Sequence, residues 1–336
     1  MPTYMEKFRC KCDACRAVCC RGWRIHLTKT EYLRLTALAC SDSLRARIER
    51  SLTVFDAPSE DAFAYIAHGE DGRCPMLDGN GLCTLQTECG DTIQPAVCRL
   101  YPRAVRAGDP CEIVAATSCE ATVELLMKEP FPLPFTEITG EISSEIPSHE
   151  IEHEDERAWR QACLSFFGEA ETPLPVRIRE IGGFLGAPPC DMTDHAMLTL
   201  AQRLLLAFGR EGNSISDLTA QAMDALAMRD GVTEESLSLF RGKVAAFRVR
   251  FPEADRWYAN LLSNHFFFMK FPPRDLSHAE SFFVLRGVSA ILFVLTVCHT
   301  DKIPTEEAFA DAAAATFRRI EHSGFYEIAP HLHAEE

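Results

Sequence analysis

A chain of 336 residues with 47% hydrophobic and 25% charged content has an ordinary globular composition, long enough for about two domains, which excludes disorder throughout. Lysine and arginine number 34 against 49 acids, and the net charge of −15 argues against a general nucleic-acid binder, whose footprint is basic. Met1 to Phe8 hold no apolar core of about seven or more residues, so no secretory signal is read and the chain is expected in the cytoplasm.

Twelve of the 15 cysteines fall in residues 1–119, at 10, 12, 15, 19, 20, 40, 74, 83, 89, 98, 111 and 119. In a reducing compartment clustered thiols are used for metal binding more often than for disulfides. Residues 1–128 are therefore read as a loop-rich, metal-binding cysteine module with short helices and with turns at Asp78-Gly79-Asn80-Gly81 and Gly108-Asp109-Pro110. Residues 129–156 contain no lysine or arginine, while eight acids after Glu129 share the stretch with Pro130, Pro132, Pro134 and Pro147, the composition of an exposed acidic linker.

Residues 157–336 read as an all-α domain, so the fold class expected is mainly α. From Asp194, taken as an N-cap, apolar residues recur at Met197, Leu198, Ala201, Leu204, Leu205 and Phe208 before the stop at Gly209. Further helices are predicted over Ser216–Met228, Glu234–Arg250, Glu253–Phe271, Ser277–Cys298 and Thr305–His322, the last announced by Pro304 and by Glu306 and Glu307 in its first turn. The apolar run 287–298 is shorter than the roughly 20 residues a bilayer requires, so no membrane insertion is expected and the run is a buried core helix. Gly182-Gly183-Phe184-Leu185-Gly186 is read as a loop, Phe266-Phe267-Phe268 as core, and Cys40 and Cys163 as core residues on helices.

The first cysteine cluster runs Cys10-Lys-Cys12-Asp-Ala-Cys15-Arg-Ala-Val-Cys19-Cys20 and is followed by Gly22-Trp23. Residues 1–30 carry seven basic residues against Glu6 and Asp13, a local charge of +5 that stabilises anionic sulfur. The second set is Cys74-Pro75, Gly81-Leu82-Cys83, Cys98-Arg99-Leu100-Tyr101-Pro102-Arg103 and Ser118-Cys119, where proline and glycine permit tight turns. Four thiolates suit either zinc or a four-iron, four-sulfur cluster, and spacing does not choose between them.

These residues resemble the flagellin lysine N-methylases, whose N-terminal signature is shared with the zinc- or iron-chelating cysteine-cluster proteins. The likeness rests on Phe8-Arg9-Cys10, Cys15 through Cys19-Cys20 with Gly22-Trp23, and the second cysteine set. It extends to Asn260-Leu-Leu-Ser-Asn264-His265-Phe266 with Phe271-Pro272, and to Arg319-Ile320-Glu321-His322. The resemblance implies methyl transfer from S-adenosylmethionine to surface lysine ε-amines of flagellin by a protein with an iron–sulfur cluster. Eight cysteines match its pattern, Cys10, Cys15, Cys19, Cys20, Cys74, Cys83, Cys98 and Cys119, whereas one [4Fe-4S] cluster takes four, so two metal centres stay open. Cys12 and Cys89 stand outside that pattern.

No strand-to-helix glycine fingerprint for a nucleotide is evident in the sequence, nor are three cysteines spaced by three and two residues. Given the resemblance, Trp23, Tyr101 and Arg103 are read as the residues that bind S-adenosylmethionine, with aromatic surface for the adenine or sulfonium and a guanidinium for the carboxylate, the alternative being that Trp23 and Tyr101 pack the cysteine module. Lysine must be neutral to attack, and its reference pKa is near 10.4, so a proton acceptor is required. Tyr101, Glu321 and His322 are the catalytic candidates because they sit in family-like motifs, and Asn264 is read as a buried structural amide. Two alternatives stand beside this reading: an iron–sulfur electron-transfer protein and a structural zinc module for protein contacts.

Overall fold

In the Asp78–Gly81 turn, Asp78 Oδ1 accepts hydrogen bonds from the backbone of Asn80 and Leu82 at 2.8 and 2.9 Å, and Gly81 takes φ +83°, a conformation that a side chain would strain. Leu77 and Cys83 are thereby paired across the turn. Such short, side-chain-stabilised turns organise one of the two units into which the chain folds, Arg9–Tyr101. The other contains Met1–Phe8 and the chain from Pro102 onward. The computed structural model describes residues 1–16, 19–21, 24–106, 111–137, 154–168, 172–190, 193–209 and 214–333.

The cysteine-bearing unit has a three-stranded antiparallel sheet, Ile25–Leu27, Leu52–Val54 and Ala64–Ile66, with Ala64–Ile66 in the middle. Each strand is three residues long, too short to show alternation in the sequence. The helices Lys29–Thr36 and Asp42–Ser51 begin at Thr28 and Ser41, whose hydroxyls accept from Glu31 and Leu44 N–H. Leu27, Leu35, Leu44, Ile48, Ile66 and Leu85 form its core. Cys40 is half-buried in the loop between these two helices, not on a helix as expected, because Ser41 starts a new helix there.

The second unit is helical, as the fold class expected: among the described residues the chain has fourteen α-helices and five short strands. Its hub is His278–Lys302, opened by a capping box in which Ser277 and Glu280 exchange hydrogen bonds. Sixteen of its residues are buried, because Leu174–Phe184, Asp194–Phe208, Ser216–Ala225, Glu234–Arg250 and Glu306–Glu321 all pack on it. Its length and composition would suffice to cross a membrane, but 83% of its most apolar window lies inside the unit.

Most predicted helices are present with shifted ends. Glu234–Arg250 falls where expected, Ser216–Ala225 stops earlier, and the hub continues one turn past Cys298. The helix Asp194–Phe208 is capped by Thr193, whose hydroxyl accepts from Ala196 N–H, in place of Asp194. Gly182 and Gly183 lie inside Leu174–Phe184 instead of in a loop. The Phe282 ring sits where a side chain on Gly182 would go, with ring atoms 2.6 Å from an added Cβ, so glycine here allows two helices to approach closely. Phe266 and Phe267 are core, and Cys163 is buried on Glu154–Phe167, where burial pushes its thiol up to about 12.

The segment 102–128, read with the cysteine module, packs in the helical unit. Arg103–Arg106 and Glu112–Ala115 form an antiparallel hairpin, and Glu120–Lys128 packs on Ala254–Met269 and Glu306–Glu321. Of the acidic stretch 129–156, residues 138–153 lie outside the described residues. Its beginning is built into the unit: Glu129 is buried and accepts from Lys7 at 2.7 Å and Thr3 at 3.0 Å. Asn260 Nδ2 donates to the carbonyls of Leu126 and Glu129, both at 3.1 Å, closing the end of Glu120–Lys128. Asn260→Ala is expected to lower stability by about 1–3 kcal/mol, since buried carbonyls lose a donor; the urea midpoint followed by circular dichroism measures it.

Candidate functional site

Two constellations stand out, one in each unit. In the cysteine-bearing unit the backbone brings distant thiols together. Arg21 and Arg73 form an antiparallel bridge, and Cys74 N–H donates to the Cys20 carbonyl at 2.8 Å, so the two cysteines enter side by side. Cys83 caps Thr84–Cys89, placed by the Asp78–Gly81 turn. Cys98 lies in Ala96–Leu100, whose first N–H donates to Glu31 Oε1 at 2.6 Å and so ties that helix to Lys29–Thr36.

The electrostatics of these thiols identify a group. Cys98 is raised by burial and then by Cys74, Cys19 and Cys83. Cys74 is pushed up to about 11, mainly by burial, with Cys83 and Cys19 adding and a backbone hydrogen bond from Met76 opposing. Cys20 is raised first by its contact with Cys19, whose sulfur is 4.0 Å away, then by burial and by the charges of Cys19, Cys74 and Cys98. Five of the eight family-matching cysteines, Cys19, Cys20, Cys74, Cys83 and Cys98, thus feel one another. Ionising several together is costly unless a cation compensates, so the donor set fits a thiophilic centre. Among the described residues, no three cysteine, histidine or acidic side chains already surround a metal position.

The other sequence candidates are dispersed. Cys10 is exposed and its sulfur accepts from Cys12 N–H at 3.4 Å; Cys12 has φ +50° and its thiol is raised chiefly by burial and by Cys10. Cys15 is half-buried. Cys119 belongs to the helical unit, where it caps Glu120–Lys128 and its charge helps raise the buried Tyr4 phenol. Tyr101 is half-buried at the end of Ala96–Leu100, and Arg103 belongs to the helical unit, its guanidinium 4.8 Å from the Phe8 ring centre. Trp23 lies outside the described residues.

The second constellation is a buried polar network in the helical unit, and it assembles three of the family-like motifs. Glu321, at the end of Glu306–Glu321, has a completely buried side chain. Its two oxygens accept from the backbone N–H groups of Thr117 and Ser118 at 3.1 and 3.0 Å, just before the helix that Cys119 caps. His265 Nδ1 is 3.3 Å from Glu321 Oε1, and His265 Nε2 is 2.8 Å from the Tyr326 hydroxyl. Burial, reinforced by Glu321, raises the Tyr326 phenol, which therefore keeps its proton and donates to His265. His265 can then donate its other ring proton to Glu321.

A second branch leaves from the same loop. Tyr4 O–H donates to Asn264 Oδ1 at 2.6 Å, and Asn264 Nδ2 donates to Ala115 O at 2.9 Å and Thr117 Oγ1 at 3.0 Å. Asn264 is thus the buried structural amide expected. His322 Nε2 is 3.1 Å from Ser118 Oγ. Burial lowers the His322 pKa, with Glu321 opposing and Arg318 adding, so the ring is neutral at physiological pH. Glu321 and His322 are therefore brought together with Ser118 and His265. Glu321, whose side chain is sealed from solvent, is suited to fixing the loop 117–118 and His265, while His322, exposed at the surface, is the better placed proton acceptor. Tyr4, Thr117 and Tyr326 were not singled out from sequence; no motif marks them.

The chain is 31% identical over 104 residues to the lysine-N-methylases of Salmonella typhimurium and Salmonella choleraesuis, a match covering 31% of this chain and 25% of each relative. It is 30% identical over 104 residues to the flagellar biosynthetic protein FliU of Salmonella muenchen, covering 60% of that protein. The match thus spans a quarter of the lysine-N-methylases and three-fifths of FliU. No protein-family model matches the chain, and no solved structure matches it. Over about a third of its length the chain is thus similar to proteins named lysine-N-methylase and to a flagellar biosynthetic protein.

Proposed function

We propose that the protein transfers methyl groups from S-adenosylmethionine to surface lysine ε-amines of flagellin in the cytoplasm, with a metal centre, a [4Fe-4S] cluster in first place and zinc as the alternative, held by its N-terminal cysteines. The observation that carries this reading is the convergence of Ser118-Cys119, Asn264-His265 and Glu321-His322 on one network, in a chain similar to proteins named lysine-N-methylase. The flagellar name of a third relative supports flagellin as the substrate.

S-adenosylmethionine supplies an electrophilic methyl group: a neutral amine attacks it, the N–C bond forms as the S–C bond breaks, S-adenosylhomocysteine leaves, and the nitrogen loses one proton. In this reading His322 accepts that proton: its ring is neutral, and Ser118 Oγ fixes its orientation at 3.1 Å. Glu321 is a positioning residue that holds the 117–118 loop and His265. Arg103, with a guanidinium suited to the donor's carboxylate, is the residue of the helical unit assigned to the methyl donor, while Tyr101, another sequence candidate, belongs to the cysteine-bearing unit. Cys19, Cys20, Cys74, Cys83 and Cys98 are the first choice among the eight cysteines for holding the metal centre, because they share one charge environment.

Quantifying S-adenosylhomocysteine released on incubation with flagellin tests the transfer. His322→Gln is expected to slow release by about 10²–10⁴-fold, the usual range for a general base, with the urea midpoint little changed. A variant that turns over at the wild-type rate removes His322 from the chemistry.

A further inference from the structure

Cys40 and Cys89 belong to neither constellation, yet both are half-buried and both pack on the core of the cysteine-bearing unit. Cys40 ends the loop between Lys29–Thr36 and Asp42–Ser51, and Cys89 is the last residue of Thr84–Cys89. Leu85 is buried one turn before Cys89, so this face of the helix points to the core. Gly90, at φ +87°, turns the chain away directly after the thiol.

The loop is held on both sides. Arg45 Nη1 donates to the Thr36 carbonyl at 2.8 Å, and Arg45 Nη2 donates to the Leu38 carbonyl. Ser41, next to Cys40, is joined to Glu88, next to Cys89: the Ser41 hydroxyl donates to Glu88 Oε1 at 3.1 Å and its N–H to Glu88 Oε2 at 3.4 Å. The same hydroxyl accepts from Leu44 N–H at 3.2 Å, so the start of Asp42–Ser51 fixes this contact. The two thiols consequently feel each other: Cys89 is raised first by burial, then by the charges of Cys40 and Glu88. The charges that chiefly raise Cys20, Cys74 and Cys98 come from the five-cysteine group and not from this pair. Two neighbouring thiols that repel when ionised lose that penalty when they are joined, because a disulfide carries no charge.

We propose that Cys40 and Cys89 are a redox modification site, a dithiol that closes to a disulfide on exchange with a low-molecular-weight disulfide and clamps the loop 37–41 to the end of Thr84–Cys89. The Cys89 sulfur, having given its proton to solvent, attacks one sulfur of the small disulfide; that S–S bond breaks and one small thiolate leaves and takes up a proton. The Cys40 sulfur then attacks the Cys89 sulfur of the mixed disulfide, forming the protein S–S bond and releasing the second small thiol. Two protein thiols give up two electrons, and one small disulfide is reduced to two thiols. In a reducing compartment such a bridge is transient, the form that redox sensing uses. Cys83, of the five-cysteine group, caps the helix that the bridge would clamp. The site does not depend on methyl transfer.

The test uses the full chain, purified and incubated without oxygen in the presence of oxidised glutathione, alkylated and then mapped by peptide mass spectrometry. A linked pair of peptides joining Cys40 to Cys89, with the loss of both as alkylatable thiols and their return on reduction with dithiothreitol, is expected. Cys40→Ser is expected to stop at a mixed disulfide with glutathione on Cys89, since the thiol that would release it is gone. Both cysteines still alkylated after incubation, or a bridge from either one to a different cysteine, would overturn the assignment. Loss of bound iron or zinc from the Cys40→Ser, Cys89→Ser double variant, with its circular dichroism spectrum retained, would also overturn it, by giving the pair to the metal centre.

Discussion

Glu321→Ala is expected to cost the helical unit about 3–5 kcal/mol, the loss typical of removing one member of a buried, hydrogen-bonded group. Three donors meet this side chain: the backbone N–H groups of Thr117 and Ser118, and His265 Nδ1. With alanine each is left in a water-free interior, and each unsatisfied donor costs about 1–3 kcal/mol, not strictly additively. The loss is large against a typical total of about 5–15 kcal/mol. Glu321→Gln should cost less, because one oxygen still accepts; its amide nitrogen, however, faces a second N–H donor. Urea denaturation of the three proteins gives the order wild type, glutamine, alanine. An alanine variant within about 1 kcal/mol of wild type would mean that the network does not hold the unit together.

The largest expected effect on composition is at the thiols. Cys74→Ser combined with Cys98→Ser removes two members of the five-cysteine group, and the protein purified without oxygen is expected to lose nearly all of its iron and acid-labile sulfide. Wild type should carry about four of each per chain if the centre is a [4Fe-4S] cluster. Cys163→Ala is the matched control: that thiol is buried on Glu154–Phe167 with burial as the sole cause of its raised pKa, and no metal should be lost. Iron retained in the double variant would move the centre to other cysteines. Zinc without sulfide in the wild type would favour the structural-zinc alternative, in which chelation unfolds the Arg9–Tyr101 unit.

The helical part of this protein was legible in its sequence because its signals are local. Apolar spacing and cap residues lie within one element, so Glu234–Arg250 could be read directly, and the error at Asp194 was a single residue, Thr193 having the hydroxyl that caps. The misreading at Gly182 has a nonlocal cause: the glycine serves the Phe282 ring a hundred residues away, which no local pattern reveals. The strands of the cysteine-bearing unit escaped notice because three residues cannot display a period of two.

For the candidate sites the division runs the same way. Compact spacing made Cys19 and Cys20 conspicuous, and turn residues beside Cys74 and Cys83 pointed to inward sulfurs. That Cys119 falls in the other unit from these four could not be read from spacing. Glu321 and His322 were noticed through a motif, but their partners Thr117 and Ser118 lie some two hundred positions earlier, and Tyr4 is further still from its partner Asn264. A sequence reveals which residues can carry chemistry, and only the packing of Glu306–Glu321 beside Glu120–Lys128 reveals which ones meet.

The intact mass of flagellin tests the proposed methyl transfer to its lysines most directly. Flagellin would be incubated with S-adenosylmethionine and with anaerobically purified protein whose iron and sulfide have been assayed. Increments of about 14 mass units per methyl group, located on lysine side chains, are expected. An unchanged flagellin mass after incubation with metal-loaded protein would contradict the account.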